Sequence, residues 1–286
     1  MGKGLVIGEV GGSSSRWAWV SADEENLLPP KGEGLPGFNP LSSDADAFVA
    51  EAKDRFAVLC PAMLEADRVE VYGAGCGDPA RRDDMRAAIA RIWPQADVQV
   101  HTDLLGAARG LTGGGAGLVI ILGTGMNAGY FEGTQLHCPM PSLGFILGDE
   151  GSGADIGRHL LQDAFYRRMP EDVRDMLFGR EGPDLAAVLQ AVHRGPTPAR
   201  SLASYTADLV PLLHEPYVRE LLLSRFHAFA ELLVSFFPVE QRREVYATGS
   251  VAWGFRELLG ECLLDRGMTL IALERDPLPG LVRFHR

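Results

Sequence analysis

Glycines and small hydroxyl residues form a loop near the start of the chain that could hold phosphate oxygens. Gly11, Gly12, Ser13 and Ser14 lie between two apolar runs, LVI and WAWV. Glycine lets backbone N–H groups approach an anion closely, because no side chain blocks the approach. Glu9, at the end of the first run, could lie near a metal ion bound to those phosphates. The alternative is a hairpin with a solvated Glu9, since the loop lacks the lysine of the P-loop pattern.

A second loop of this kind is GTGMN, residues 123–127. Two glycines that flank a threonine at the end of a strand are typical of a phosphate loop, and Asn127 could donate to a substrate hydroxyl. The alternative is an ordinary turn in which asparagine tolerates positive φ. The turn TGSV, residues 248–251, follows another strand; it could contact a purine or simply join a strand to a helix.

Two carboxylates follow predicted strands. Asp103 comes after VQVHT and opens a helix. It could accept a proton from an alcohol that attacks phosphorus, or it could cap the helix. Asp149 lies in GDEGSG, residues 148–153, which is predicted to join a strand to a helix. Its carboxylate could bind a pair of sugar hydroxyls, or the helix dipole could stabilise it without any ligand.

Alternating strands and helices would position these loops. In the first half, apolar periodicity predicts helices over 44–59, 79–93 and 103–111 and strands over 69–72 and 98–101. In the second half it predicts a hairpin from 118, helices over 171–237, and strand, helix and strand over 244–248, 251–265 and 268–272. The hairpin segments from Leu5 and Leu118 resemble each other, with Gly12 matching Gly125. They indicate either a duplicated domain or a chance likeness.

Composition excludes some classes of protein. The chain has 286 residues and a net charge of −11, so nucleic acid is not an expected partner, since its phosphates need a basic surface. The four cysteines are widely spaced, and the seven histidines show no metal-ligand spacing. No apolar run approaches a membrane span, and the N-terminus lacks a signal-peptide pattern. We therefore expect a cytoplasmic protein with no membrane partner.

Taken in order, the motifs resemble one family over nearly the whole chain. They are EVGGS from Glu9, TDLLGAARG from Thr102, LGTGMN from Leu122, GDEGS from Gly148 and GSVA from Gly249. Their order and spacing are similar to those of the N-acetylglucosamine kinase and BadF-type ATPase family, in the sugar kinase, Hsp70 and actin superfamily. The tail DPLPGLVRFH also looks like this group.

The resemblance implies an α/β fold with two ribonuclease-H-like, actin-like ATPase domains and a nucleotide- and sugar-binding cleft between them. We expect these domains to span residues 1–114 and 115–286, the second with a helical insertion. It remains open whether the segment after Pro277 packs on the first domain.

The resemblance also implies roles for individual residues. Asp103 falls on the catalytic base, and Glu9 would hold Mg²⁺ through water. The residues that would hold ATP are Gly11, Gly12, Ser13, Ser14, Gly123, Thr124, Gly125, Gly249 and Ser250. The residues that would contact the sugar are Asn39, Asp103, Asn127, Leu143, Gly144 and Asp149.

The chain departs from the family pattern at several of these positions. Many relatives have Asp where Glu9 stands. They often have Thr followed by Lys or Arg where this chain has Ser13 and Ser14, so one cation is missing from the first phosphate loop. Met126 replaces a small Ser. Leu143 replaces a Trp that lies against the sugar in some relatives, which leaves the preference for an acetamido group open.

Together these expectations describe an amino-sugar kinase that uses ATP and Mg²⁺. It would phosphorylate the C6 hydroxyl of N-acetylglucosamine or a close relative, and we expect a homodimer. Two other classes remain open. One is an activator ATPase with an iron–sulfur cluster, which would need cysteine ligands. The other is a sugar-binding regulator whose phosphate site has decayed.

Overall fold

A computed structural model describes residues 4–12, 14–29, 34–40 and 43–286. The chain divides into two compact units. The first comprises the residues up to Gly114 together with Pro277–Arg286, and the second is Gly115–Asp276. Within the described residues each unit contains one sheet of mixed strand direction, covered by helices, so the predicted α/β class is confirmed.

The first unit alternates strands and helices. Its strands are β1 (Leu5–Val10), β2 (Ser14–Val20), β3 (Glu25–Leu28), β4 (Leu35–Pro36), β5 (Arg68–Gly73) and β6 (Asp97–Thr102). Its helices before Gly114 are α1 (Ala45–Leu59), a 3₁₀ helix (Pro61–Glu65), α2 (Pro79–Ile92) and α3 (Asp103–Thr112). The sheet order is β3-β2-β1-β5-β6, with β4 against β2. Strands β1, β5 and β6 are parallel, so the loops that follow them leave the sheet at one edge.

Local sequence explains this unit's helices well. The Asp44 carboxylate caps α1 by accepting the N–H groups of Asp46 and Ala47, at 2.8 and 3.2 Å. Helix α1 buries Phe56 against Trp17, with ring centroids 5.2 Å apart. Helix α2 begins at Pro79, where a missing N–H costs nothing. The buried residues of α1 and α2 form one apolar cluster with those of β1, β2 and β5.

The second unit also opens on a hairpin, as the internal likeness predicts. Its strands are β7 (Ala116–Leu122), β8 (Met126–Glu132), β9 (Leu136–His137), β10 (Glu244–Thr248) and β11 (Thr269–Glu274), in the order β11-β10-β7-β8-β9. Its helices up to Leu212 are α4 (Gly144–Leu147), α5 (Gly153–Phe165), α6 (Glu171–Phe178), α7 (Leu185–Arg194), α8 (Pro198–Ala203) and a 3₁₀ helix (Ser204–Leu212). The later helices are α9 (Pro216–Phe236), α10 (Val239–Arg242), α11 (Ser250–Gly254) and α12 (Arg256–Leu264).

Two sequence-based expectations for this unit are wrong. The segment before GDEGSG is the short helix α4 and not a strand. Its Ile146 and Leu147 are about three-quarters exposed, at 75% and 74%, so the apolar run does not mark a buried strand. The helix expected over 251–265 is broken into α11 and α12 at Phe255, whose ring is buried.

The last helix of the chain, α13 (Leu278–His285), belongs to the first unit. It packs on α3, where the backbones come so close that a Cβ on Gly280 would collide with the Gly110 carbonyl oxygen. Leu278 and Leu281 are completely buried in a cluster with Ile7 of β1. None of the helices in the described residues has the length and apolar content needed to cross a membrane.

Candidate functional site

The turn between β1 and β2 carries the first predicted phosphate loop. The Gly11 N–H donates to the Ser14 carbonyl at 2.9 Å, and the Gly11 carbonyl accepts the Phe38 N–H at 3.0 Å. Gly12 and Ser14 are exposed. Ser13 lies outside the described residues. Backbone bonds therefore fix the turn, and Gly12 and Ser14 face solvent.

Asn39 joins this turn to a loop that sequence reasoning missed. A Cβ built on Gly12 would lie 3.6 Å from the Asn39 Cβ, and one built on Gly75 would lie 3.4 Å from the Asn39 Oδ1. Gly75 has φ +76°, a left-handed conformation that favours glycine. Its loop follows β5, so it leaves the same sheet edge as the β1 turn. The sequence signal was the GAGCG run, residues 73–77.

Asp103 is the first residue of α3, directly after β6. The sequence alternative in which it caps the helix is wrong, because Thr102 is the cap and its Oγ1 accepts the Leu105 N–H at 3.2 Å. The Asp103 carboxylate accepts the Leu104 N–H at 2.8 Å and also its own backbone N–H. Burial raises its pKa to about 6, although backbone hydrogen bonds oppose the rise. A half-buried carboxylate with this pKa suits a general base near neutral pH.

Two other groups of this unit lie near these loops. Glu9 is half-buried in β1, one residue before the strand ends. Cys76 is buried, and burial raises the pKa of its thiol to about 11, with a smaller contribution from the Asp103 charge. This thiol is therefore protonated at neutral pH and is not an activated nucleophile.

In the second unit, the GTG turn is bonded to the start of α5. The Gly123 carbonyl accepts the Gly153 N–H at 2.8 Å, and the Thr124 carbonyl accepts the Ala154 N–H at 3.0 Å. Gly249 packs on the same turn, since a Cβ there would collide with the Leu122 carbonyl oxygen. The structure thus brings together the two loops that were predicted to hold different parts of a nucleotide.

A cavity of about 160 Å³ lies between these two loops. Gly123, Thr124, Ser250 and Val251 line it from the predicted loops. The remaining lining residues are Arg200, Ala203, Ser204 and Thr206, from α8 and the following 3₁₀ helix. Sequence reasoning missed these four, because nothing in a helical segment more than 40 residues from either loop indicates which loop it covers. Arg200 is the charged residue of the lining and gives it a positive character.

Asp149 lies beneath the GTG turn. Its carboxylate accepts the Met126 N–H, and a Cβ on Gly125 would lie 2.9 Å from its Oδ2. Burial raises its pKa to about 6, and the charges of Glu150 and Asp155 add to the rise. Its φ of +65° is unusual for a residue with a side chain. Such strain, held in place by neighbours, is common at binding sites.

The other residues predicted to contact a sugar have varied surroundings. Asn127 is half-buried in β8, and its Oδ1 accepts the Ala128 N–H at 3.0 Å. Leu143 is 55% exposed, next to Gly144, which has φ +72°. Met126 is buried in the core of the unit, so the bulk that replaces the family's serine does not project from the turn.

A buried ion cluster that sequence reasoning missed fixes the loop of Asp149. The Asp155 carboxylate is completely buried and accepts the Gly151 N–H at 3.0 Å. It pairs with Arg158 and Arg225, both at 2.7 Å, and with His159 at 3.2 Å. Hydrogen bonds and charge from these partners hold its pKa at about 2 despite burial. The spacing Ser152-x-x-Asp155 was a visible helix-start signal.

Metal-ligating side chains do not cluster in the part of the chain that the structure describes: it holds no group of three or more His, Cys, Asp or Glu placed around one ion. Cys60, Cys76 and Cys262 are buried and Cys138 is exposed. The described residues therefore do not place these thiols around one iron–sulfur cluster.

Solved structures of sugar kinases share this fold. A provisionally named N-acetylglucosamine kinase of Porphyromonas gingivalis is 29% identical, with 98% of both chains covered and a TM-score of 0.88. A similarly named protein of Chromobacterium violaceum is 19% identical, with 99% of both chains covered and a TM-score of 0.68. A ROK-family glucokinase of Streptomyces griseus, solved with glucose and AMPPNP, is 16% identical over 98% of this chain and 97% of its own, with a TM-score of 0.52. No protein-family model and no curated protein matches the sequence.

The chain therefore has the fold of the sugar kinases in the actin-like ATPase superfamily, with two sheet domains. The resemblance to a sugar-kinase family stated from the motifs is confirmed. The comparisons support a sugar kinase as the class of enzyme.

Proposed function

We propose that this chain is an ATP-dependent kinase that phosphorylates the C6 hydroxyl of N-acetylglucosamine or a close relative. The observation that carries the proposal is Asp103, a half-buried carboxylate of raised pKa at the sheet edge from which the turn after β1 also leaves. The 29% identity to a provisionally named N-acetylglucosamine kinase supports this substrate class.

Asp103 accepts the proton of the sugar hydroxyl while that oxygen attacks the γ-phosphorus of ATP. The bond from the γ-phosphorus to its bridging oxygen breaks, and ADP leaves with both electrons. Backbone N–H groups of the two glycine turns and the Arg200 cation hold the phosphates. Asn127 and Asp149 bind sugar hydroxyls. Positioning and charge stabilisation supply most of the rate in this kind of transfer.

Glu9 fits the magnesium ion that such a reaction uses. Mg²⁺ keeps several waters and needs only one or two carboxylates beside the substrate's phosphates. Glu9 is half-buried in β1, two residues before Gly11 of the first glycine turn. When bound, the ion would neutralise charge on the phosphates.

The raised pKa of Asp103 predicts that turnover falls in mild acid. The base must be ionised, so kcat should be constant well above pH 6 and should fall tenfold per pH unit below it. Asp149 also has a pKa of about 6, so its protonation would weaken sugar binding over the same range. Profiles of kcat and of KM for the sugar separate the two, because Asp149→Asn should remove the pH dependence of KM alone. A flat kcat between pH 5 and 8 would contradict the role of Asp103.

A coupled ADP-release assay with MgATP tests the function directly. The sugars to compare are N-acetylglucosamine, N-acetylmuramic acid, glucosamine and glucose. We expect release that depends on an acetamido sugar, and phosphorus–proton NMR correlation should place the new phosphate on C6. ADP release without sugar would favour the activator ATPase. Sugar binding by calorimetry without turnover would favour the regulator.

We also retain the homodimer and the cytoplasmic location as predictions. Light scattering coupled to size exclusion measures the first. A single species of about 31 kDa, the mass of one chain, would contradict it.

A further inference from the structure

Tyr72 occupies the centre of the first unit, below helix α3. Its side chain lies on β5 and is completely inaccessible to solvent. A Cβ on Gly106 would lie 2.8 Å from the Tyr72 ring, so α3 packs directly against this side chain. The ring also stacks with His101, at a centroid distance of 5.1 Å and an angle of 28°. His101 stands two residues before Asp103, so Tyr72 contacts the chain on both sides of that residue.

The Tyr72 hydroxyl joins two helices. It accepts a hydrogen bond from Arg109 of α3 at 2.9 Å. It lies 2.7 Å from His285 Nε2 of α13, and its own hydrogen is left to donate there. Burial raises the pKa of Tyr72 and lowers that of His285 to about 4, so a neutral phenol meets a neutral imidazole at pH 7. The buried Tyr72 hydroxyl therefore both accepts and donates a hydrogen bond.

Charged side chains contact the residues that surround Tyr72. His101 Nε2 lies 2.8 Å from the buried Glu70 carboxylate, which also accepts two bonds from Arg68. These partners lower the pKa of Glu70 to about 2, against the effect of burial. The Arg109 guanidinium also lies 5.0 Å from the Phe284 ring centroid of α13. Tyr72 therefore links His101 at the end of β6 to Arg109 in the last turn of α3.

Helix α13 lies beside α3 and packs against β1, β2 and Tyr72. The backbone of Gly110 lies against Pro277 and Gly280. A Cβ at position 110 or at position 280 would collide with the facing backbone, so both positions require glycine. At its end, Arg286 pairs with Glu25 of β3 at 2.6 Å. The position of α3 relative to the sheet is therefore set by Tyr72 beneath it and by α13 beside it.

We propose that Tyr72, Arg109 and His285 are positioning residues for Asp103, through which helix α13 holds the catalytic carboxylate in place. The inference rests on the proposed kinase function and deepens it. A displacement of about 1 Å in a reacting group can cost up to about 100-fold in rate. A looser α3 should therefore lower kcat while substrate binding, which uses several residues besides Asp103, persists.

Tyr72→Phe tests the hydrogen bonds while keeping the ring that supports α3. We expect kcat to fall about tenfold, with KM for sugar and for ATP within twofold of the wild-type values. His285→Ala should behave alike, and His285→Gln should recover much of kcat, because its amide can still accept from the hydroxyl. Assays are run well below the melting temperature of each variant, which is measured in parallel.

Gly280→Ala tests the helix contact independently. The added Cβ collides with the Gly110 backbone and should push α13 away from α3, so kcat should fall at least as much as in Tyr72→Phe. Gly260→Ala is the matched control: it is also in a helix, and a Cβ there meets nothing within 4 Å. We expect wild-type kcat for this control.

The outcomes separate the two proposals. If wild-type protein releases no ADP with any sugar, the kinase function fails and this inference fails with it. If the wild type turns over but Tyr72→Phe and Gly280→Ala both keep kcat within twofold, only the positioning role is overturned. It is also overturned if His285→Gln is as slow as His285→Ala at equal thermal stability.

Discussion

Asp103→Asn should lower kcat on the order of 100-fold or more while the protein still folds and binds both substrates. General-base catalysis typically contributes 10²- to 10⁴-fold, and an amide cannot take the proton. The substitution is nearly isosteric, and the Asn oxygen can still accept the Leu104 N–H that the carboxylate accepts at 2.8 Å. Steady-state kinetics with the best sugar of the panel, with calorimetry for ATP and sugar, measure both effects.

Asp97→Asn is the matched control for this variant. Asp97 is the first residue of the same strand, β6, and is exposed, so the substitution removes the same charge far from the helix start. Its kcat should equal that of the wild type. A second readout is the pH profile: Asp103→Asn should lose the fall in kcat near pH 6 because the group that titrates is gone. An Asp103→Asn enzyme with kcat within fivefold of the wild type would contradict the assignment.

Local patterns were sufficient to predict the elements that carry the site. The turn glycines, the strand before Asp103 and the helix after it depend on neighbours in sequence, and each lies where its pattern predicts. Even the likeness between the segments from Leu5 and Leu118 corresponds to two hairpins that open the two units. Local chemistry decides such features, because backbone conformation and capping involve residues within a few positions.

The residues that were missed act across long sequence separations. The missed Gly75 lies beside Asn39, and the missed Arg200 lines a cavity with Gly123, because tertiary packing places them there. The error at α4 has a similar cause. An apolar run predicts burial, but Ile146 and Leu147 remain exposed because the rest of their unit provides no surface to cover them.

Asp155→Ala should destabilise the protein more than any surface substitution. Removing one partner of a buried ion pair leaves the other charge uncompensated, at a cost of about 3–5 kcal/mol in the free energy of unfolding. Here the carboxylate is fully buried, while Arg225 is only 18% exposed. Urea unfolding followed by circular dichroism measures the loss. The control is Glu231→Ala, whose exposed pair with Arg266 should contribute about 1 kcal/mol or less.

The pH dependence gives this prediction a second check. The pKa of Asp155 is lowered from 3.8 to about 2 in the folded protein. A lowered pKa means that the carboxylate's contribution is complete above pH 4 and is lost as the pH falls through 2. The stability difference between wild type and Asp155→Ala should therefore be constant from pH 5 to 7 and shrink below pH 4. A difference that does not change down to pH 2 would contradict the ionised cluster.

A double variant shows whether the cost comes from the unpaired cation. Asp155→Ala with Arg225→Met replaces the stranded guanidinium by an apolar side chain, and we expect it to recover part of the lost stability. Arg158 can remain, because it is 38% exposed and can turn to solvent. Recovery of stability should not recover sugar binding, since the Gly151 N–H has lost its acceptor and the Asp149 loop is no longer held. A double variant with wild-type KM for the sugar would mean that Asp155 supports the fold and not the site.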